Sequence, residues 1–291
     1  MGELYALLTA VMWAAAVIFL KRSGETMPPF ALNLFRVGLS SAALVVTVIA
    51  AGQELLYPAP LLDYLTLFAS GVVAIAVSDT FFLMALNRIG AGIMAIVDCL
   101  YAPSVVFFAF IMLGERLGPW QYAGMALVIL GVIIASRHEP PTGATVRQIL
   151  VGVFWGVCAM ATVAFGIVLA KPVLGRSPIL WATTMRQLGA LAVMVPTALA
   201  MRSRREIFSL FVTGRGWRYS VPGTLIGSYL ALIFWIGGMK YSLAGSAAIL
   251  NQTSSIYILI FASIFLKEPF TVRKVIASAL AIAGIVMVTL G

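Results

Sequence analysis

The 291-residue chain is 62% hydrophobic and 10% charged, with a mean hydropathy of +1.06, whereas a soluble domain carries about 25% charged residues. So much apolar surface excludes a water-soluble globule and points to a bilayer. The net charge of +9 lies between hydrophobic blocks and forms no stripe, which argues against a nucleic-acid partner and suits loops that orient helices and meet anionic lipid.

A hydrocarbon core about 30 Å thick takes roughly 20 apolar residues per helix. The chain offers such blocks at 3–20, 30–51, 63–84, 90–113, 119–136, 148–170, 179–200, 219–238, 244–266 and 272–290. The first follows no basic residue and precedes no cleavage site, so it reads as a permanent helix and not a signal peptide. Trp13 falls in this first span. Pro28-Pro29 opens the second, which carries Arg36, and the third carries Asp79. The fourth holds Asp98, Tyr101 and Pro103, the last expected to loosen the backbone near Asp98. The fifth is almost wholly aliphatic or small. A polar linker, 137–147, divides the chain into halves 1–138 and 139–291. The sixth span then brings Trp155, the seventh Trp181 and Arg186, and the eighth Ser228, Tyr229 and Trp235. The ninth carries Asn251, Gln252, Ser254, Ser255 and Tyr257, and the tenth is again aliphatic. Cys99 and Cys158 both fall inside spans, so there is no disulfide framework or paired thiolate motif.

The halves repeat. Ala91-Gly92 through Gly131 aligns with Ala244-Gly245 through Gly284 at a constant offset, with about a dozen identities. Among them are Ala95/Ala248, Ile96/Ile249, Phe108/Phe261, Glu115/Glu268 and Gly131/Gly284. Earlier in each half, Pro29-Phe30 to Arg36 matches Pro178-Ile179 to Arg186 once one residue of slack is allowed. Similarity between apolar helices supplies matched leucines and alanines but not matched charges. Five spans per half force the second half upside down relative to the first, the inverted plan of many secondary transporters. The predicted fold is therefore an all-α membrane protein of ten transmembrane helices in two inverted five-helix repeats.

Several pieces of this pattern recur in order: Trp13, the Pro-Pro and Arg36 opening the second span, and Arg88 or Lys240 before the fourth and ninth. Leu113-Gly114-Glu115-Arg116 and Leu266-Lys267-Glu268-Pro269 each lead into a small-residue helix. The whole chain resembles the drug/metabolite transporter superfamily in its ten-helix EamA-like branch. That resemblance implies a carrier exporting amino acids, related metabolites or drugs, and leaves the substrate open.

Counting Lys and Arg gives about thirteen in the odd-numbered loops against about four in the even-numbered ones. Lys21, Arg22, Arg202, Arg204, Arg205, Arg215 and Arg218 lead the first group. The positive-inside rule then puts both termini outside the cytoplasm, a departure from relatives in this branch. The expected location is a prokaryotic inner membrane.

Ionisable groups inside a span are functional candidates. At 1.5 Å per residue, Arg36 lies roughly 9 Å and Asp98 roughly 12 Å from the start of its span, and Asp79 roughly 8 Å from the end of its own. All three enter from one face, so Arg36 is placed to bridge one or both carboxylates, either as transport machinery or as a structural pair. Asp98 and Asp79 are the candidates to carry a coupled proton. Arg186 differs, because Asn251 stands where its half would repeat Asp98. Its guanidinium is expected to take a substrate carboxylate, unless it snorkels to the interface or pairs across the halves with Asp98. Trp13, Tyr101, Trp155, Tyr229, Asn251 and Ser255 complete the expected binding set.

An enzyme finds no support. His138 is the only histidine and lies in the linker beside Glu139, and there is no HExxH, GxSxG or phosphate-binding glycine loop. No cofactor or metal is expected. The reading is a secondary-active exporter or exchanger of a small polar or zwitterionic metabolite such as an amino acid, by alternating access. It is embedded in lipid as a monomer or homodimer. The rival is a multidrug exporter of lipophilic cations held by Asp79 and Asp98.

Overall fold

The computed structural model describes residues 2–114, 118–136, 145–214, 216–241, 251–269 and 271–290, and every regular element among them is helical. Glu115, Arg116, the His138-Glu139 linker, Arg215 and the Ala244-Gly245, Ala248 and Ile249 stretch lie outside the described residues. The helices are α1 (Gly2–Ser23), α2 (Pro29–Ala50), α3 (Leu61–Gly71), α4 (Ser78–Asp98), α5 (Tyr101–Leu113), α6 (Pro119–Ser136) and α7 (Val146–Leu174). They continue as α8 (Ile179–Ala200), α9 (Arg204–Val212), α10 (Trp217–Gly223), α11 (Ala231–Tyr241), α12 (Ser254–Phe265) and α13 (Val272–Leu290). Two π-helical turns, Val72–Val77 and Thr224–Leu230, join α3 to α4 and α10 to α11.

Local sequence explains the ends. Pro28 and Pro29 start α2 and Pro178 precedes α8, positions where a missing N–H costs nothing. Thr145 and Gln148 form a reciprocal capping box at the head of α7. Leu61–Asp98 is 38 residues of apolar helix, nearly twice what one crossing needs. Gly90, at φ 75°, breaks it into two spans, and a glycine stands where a side chain would be strained. The third span thus runs further than expected, to Ile89. The fourth is interrupted at Cys99-Leu100, immediately ahead of Pro103, which sits in the first turn of α5 where proline is tolerated. The connection after α8 is not a bare loop, since it contains α9.

Loop-to-loop bonds sort the turns by membrane face. Lys21 Nζ donates to the Leu86 and Asn87 carbonyls at 3.1 and 3.2 Å, and Arg22 Nη2 to the Phe265 carbonyl at 3.1 Å. The turns after α1, around Gly90 and after α12 therefore share one face, the basic face. On the other, Arg176 grips Asp63 through Nε and Nη2 at 3.2 and 2.5 Å, which holds the Arg176 guanidinium above its ordinary pKa. Lys240 donates there to the Ser177 carbonyl at 3.0 Å. The α3 helix starts at this second face. Its counterpart α10 starts at the basic face, where Gly216 packs against Thr26. The repeats are inverted.

Helices α6 and α13 pack on each other through a symmetric close approach. A Cβ on Gly131 would stand 2.8 Å from the Ala277 carbonyl oxygen, and one on Gly284 would stand 2.5 Å from that of Gly124. Residues 124 and 277 are themselves matched by the repeat. Small residues let these backbones touch, the usual basis of helix association in lipid.

Candidate functional site

A cavity of about 150 Å³ lies between the halves, lined by residues of both. Trp13, Arg36, Asp79, Asp98, Tyr101, Arg186 and Asn251, all singled out from the sequence, line it. Both π turns and the Cys99-Leu100 break abut it, through Ile75, Gly227, Ser228, Asp98 and Tyr101. Irregular backbone survives inside a membrane where it lines such a space, and π turns often mark function. An amide side chain meets carbonyls of each π turn. Asn33 Nδ2 donates to the Ile75 and Ala76 carbonyls at 2.9 and 3.2 Å, and Gln187 Nε2 to that of Ser228 at 3.3 Å.

The two arginines are held by a swap. Arg36 of the first repeat donates Nε to Ser228 Oγ of the second at 3.0 Å, while Arg186 of the second donates Nε to Ser70 Oγ of the first at 3.0 Å. The Ser70 hydroxyl passes its own hydrogen to the Gly166 carbonyl at 2.7 Å, leaving a lone pair for Arg186. Arg36 Nη2 also lies 3.3 Å from Asp79 Oδ2. Of the two carboxylates expected to share Arg36, only Asp79 is bridged.

Arg186 has a different environment. Its guanidinium sits 5.8 Å from the centre of the Trp235 ring, and the side chain is 2% exposed. It neither snorkels nor ion-pairs with Asp98, and Asp98 itself has no hydrogen-bond or ion-pair partner among the described residues. Five buried polar atoms of the cavity wall also lack a partner there: Arg36 Nη1, Arg186 Nη1, Tyr101 Oη, Gln187 Oε1 and Gln252 Oε1. A buried polar group without a partner costs about 1–3 kcal/mol. Five around one space describe a site shaped for something polar.

Three expected residues lie elsewhere. Trp155 is turned from the cavity and packs its ring 4.9 Å from Phe81 and 5.4 Å from Phe154. Ser255 is buried against Cys99 Sγ at 3.4 Å. Tyr229 spends its hydroxyl on Thr47 Oγ1 of α2 at 2.6 Å. Polar residues surround Ser255 and Tyr229 on several sides of their helices, so the sequence pattern does not single out the face that meets the cavity. Gln187, Thr9 and Met160 line the cavity and were not anticipated. Gln187 sits one residue beyond Arg186, so its polar side chain in an apolar span is the sequence signal that marks it.

Glu268, which the repeat matches to Glu115, has a structural task. Its carboxylate accepts from the Ala91 and Gly92 amides at 2.7 and 2.9 Å, capping the helix that restarts after Gly90.

Two inverted helical repeats of membrane-spanning length around an internal cavity that carries paired arginines define a membrane transporter. The chain belongs to the EamA-like transporter family, whose pattern matches residues 1–137 and 150–290, within the drug/metabolite transporter superfamily. An uncharacterized transporter of Archaeoglobus fulgidus is 23% identical over 287 residues, covering 97% of this chain and 96% of its own length. A solved crystal structure, 18% identical, superposes with a TM-score of 0.70 over 99% of this chain and 96% of its own, and so shares the fold. The protein is a transporter, not an enzyme.

Proposed function

We propose that this chain is a secondary-active exporter or exchanger of a small zwitterionic or polar metabolite such as an amino acid, working by alternating access between the repeats. The observation that carries the reading is the unpartnered Arg186 Nη1 in the cavity wall, on a guanidinium that Ser70 and Trp235 hold in place. A substrate carboxylate satisfies it with a charge-assisted bond. Tyr101 Oη is a second donor, and Asp98 with the Gln187 and Gln252 oxygens can receive an ammonium group.

Size also supports this reading. The cavity, about 150 Å³, is smaller than the roughly 300 Å³ at which pockets for drug-sized ligands begin. Two arginines on its wall further disfavour lipophilic cations, although Asp98 keeps that rival testable. Asp98 is the proposed proton carrier, with Asp79 engaged by Arg36. The basic face is assigned to the cytoplasm by charge bias, with both termini outside and the membrane a prokaryotic inner membrane. A reporter fused to the C-terminus that is active in the cytoplasm overturns that orientation.

The function is tested by thermal shift in detergent with neutral amino acids against tetraphenylphosphonium, followed by uptake into proteoliposomes with and without a pH gradient. Stabilisation by zwitterions supports the reading; stabilisation by the lipophilic cation alone overturns it.

A further inference from the structure

We infer that Glu268 is a gate residue, latching the second repeat to the first across the basic face. This inference rests on the alternating-access reading above. The cap joins elements that no local folding need brings together: Glu268 follows α12 in the second repeat, whereas Ala91 and Gly92 restart the fourth span of the first. Lys274, at the head of α13, lies 3.6 Å from the same carboxylate and donates to the Pro269 carbonyl at 3.1 Å. The side chains of Lys274 and Glu268 are 8% and 15% exposed. An acidic group on a helix N-terminus is favourable, and more so when partly buried.

Beside it, Lys21 clamps the carbonyl end of the preceding helix at Leu86 and Asn87. Arg22 reaches the Phe265 carbonyl, a second tie between the repeats. The break at Gly90 thus exposes a positive helix end to a carboxylate of the second repeat and a negative helix end to an ammonium of the first.

Behind these ties the protein is densely filled. Leu20, Met27, Leu32, Leu86 and Ile89, in the part of the bundle between the cavity and the basic face, are all below 2% exposed. Opening the cavity to this side requires the two repeats to part where Glu268 joins them, so the carboxylate must leave the Ala91 and Gly92 amides. Its seat is therefore occupied when this face is closed and vacated when it opens. A two-state element biased by one contact shifts in population by the energy of that contact.

The test places a cysteine at Ala31, which is fully buried on α2 between Arg36 and the basic face. In lipid nanodiscs, labelling by a water-soluble maleimide is compared between chains with and without Ala31→Cys, which discounts Cys99 and Cys158. Hydrogen exchange of the 89–95 segment is followed in the same samples. Glu268→Ala should speed exchange at Ala91 and Gly92 and raise labelling of the introduced thiol by about tenfold or more. Glu268→Gln, which keeps the shape and one acceptor, should fall between and serves if the alanine variant does not fold. Faster exchange without faster labelling makes Glu268 a plain helix cap and overturns the proposal, as does unchanged exchange. If Lys21→Ala/Arg22→Ala opens the site while the Glu268 variants do not, alternating access stands and Glu268 is not its latch. If no variant opens it, alternating access falls as well.

Discussion

Replacing Arg36 by methionine separates the arginine paired with Asp79 from the one proposed to anchor the substrate's acidic group. Arg36 is 1% exposed, with Nε 3.0 Å from Ser228 Oγ and Nη2 3.3 Å from Asp79 Oδ2. Methionine keeps most of the volume and leaves the Asp79 carboxylate without its cation. Removing one partner of a buried pair costs about 3–5 kcal/mol. The Asp79 side chain is 24% exposed and lines the cavity, and that partial exposure puts the expected loss at the low end, about 3 kcal/mol. Arg36→Met/Asp79→Asn removes both charges and should recover most of the loss, since a buried pair replaced as a unit is often nearly neutral. The assay is reversible unfolding in mixed micelles across the double-mutant cycle. A parent-like Arg36→Met, within about 0.5 kcal/mol, or two substitutions whose costs simply add, would refute the reasoning.

Asp98→Asn should leave folding intact and abolish any dependence of transport on a pH gradient; an unchanged gradient response in proteoliposomes removes Asp98 as the proton carrier. Gly284→Ala should destabilise by about 1–3 kcal/mol, because its Cβ meets rigid backbone at Gly124 and Val128. Gly38→Ala, with nothing within 4 Å, should be neutral in the same melt. Helices α6 and α13 should act as scaffold, so cysteines along them should stay unreactive to water-soluble maleimide throughout the cycle.

Charge and periodicity carried the sequence reading as far as they could. Arg36 and Arg186 were visible because a guanidinium inside an apolar span needs a reason, and their match across the halves exposed the repeat. Asp98, Trp13, Tyr101 and Asn251 reached the cavity because their depth alone put them near it. The π turns were not legible: one widened helical turn in Val72–Val77 or Thr224–Leu230 leaves no mark in residue type. Nor was the arginine–serine swap, since Ser70 looks like any small residue of a membrane helix until the opposite repeat packs against it. Trp155, Ser255 and Tyr229 show the other limit, where residue type and position in a span do not say which way a side chain faces. Glu268 was found by symmetry, but its partners are backbone amides, which sequence does not distinguish.

The central claim, that Arg186 anchors an acidic group of the substrate, is tested most directly by the affinity of Arg186 variants for the zwitterion that most stabilises the parent, with melting temperature measured alongside. Arg186→Lys keeps the charge but not the fork, and should weaken binding by about 1–3 kcal/mol, roughly 5- to 150-fold. Arg186→Ala should weaken it further while the protein remains folded. An Arg186→Ala protein that binds the zwitterion as tightly as the parent would contradict the account.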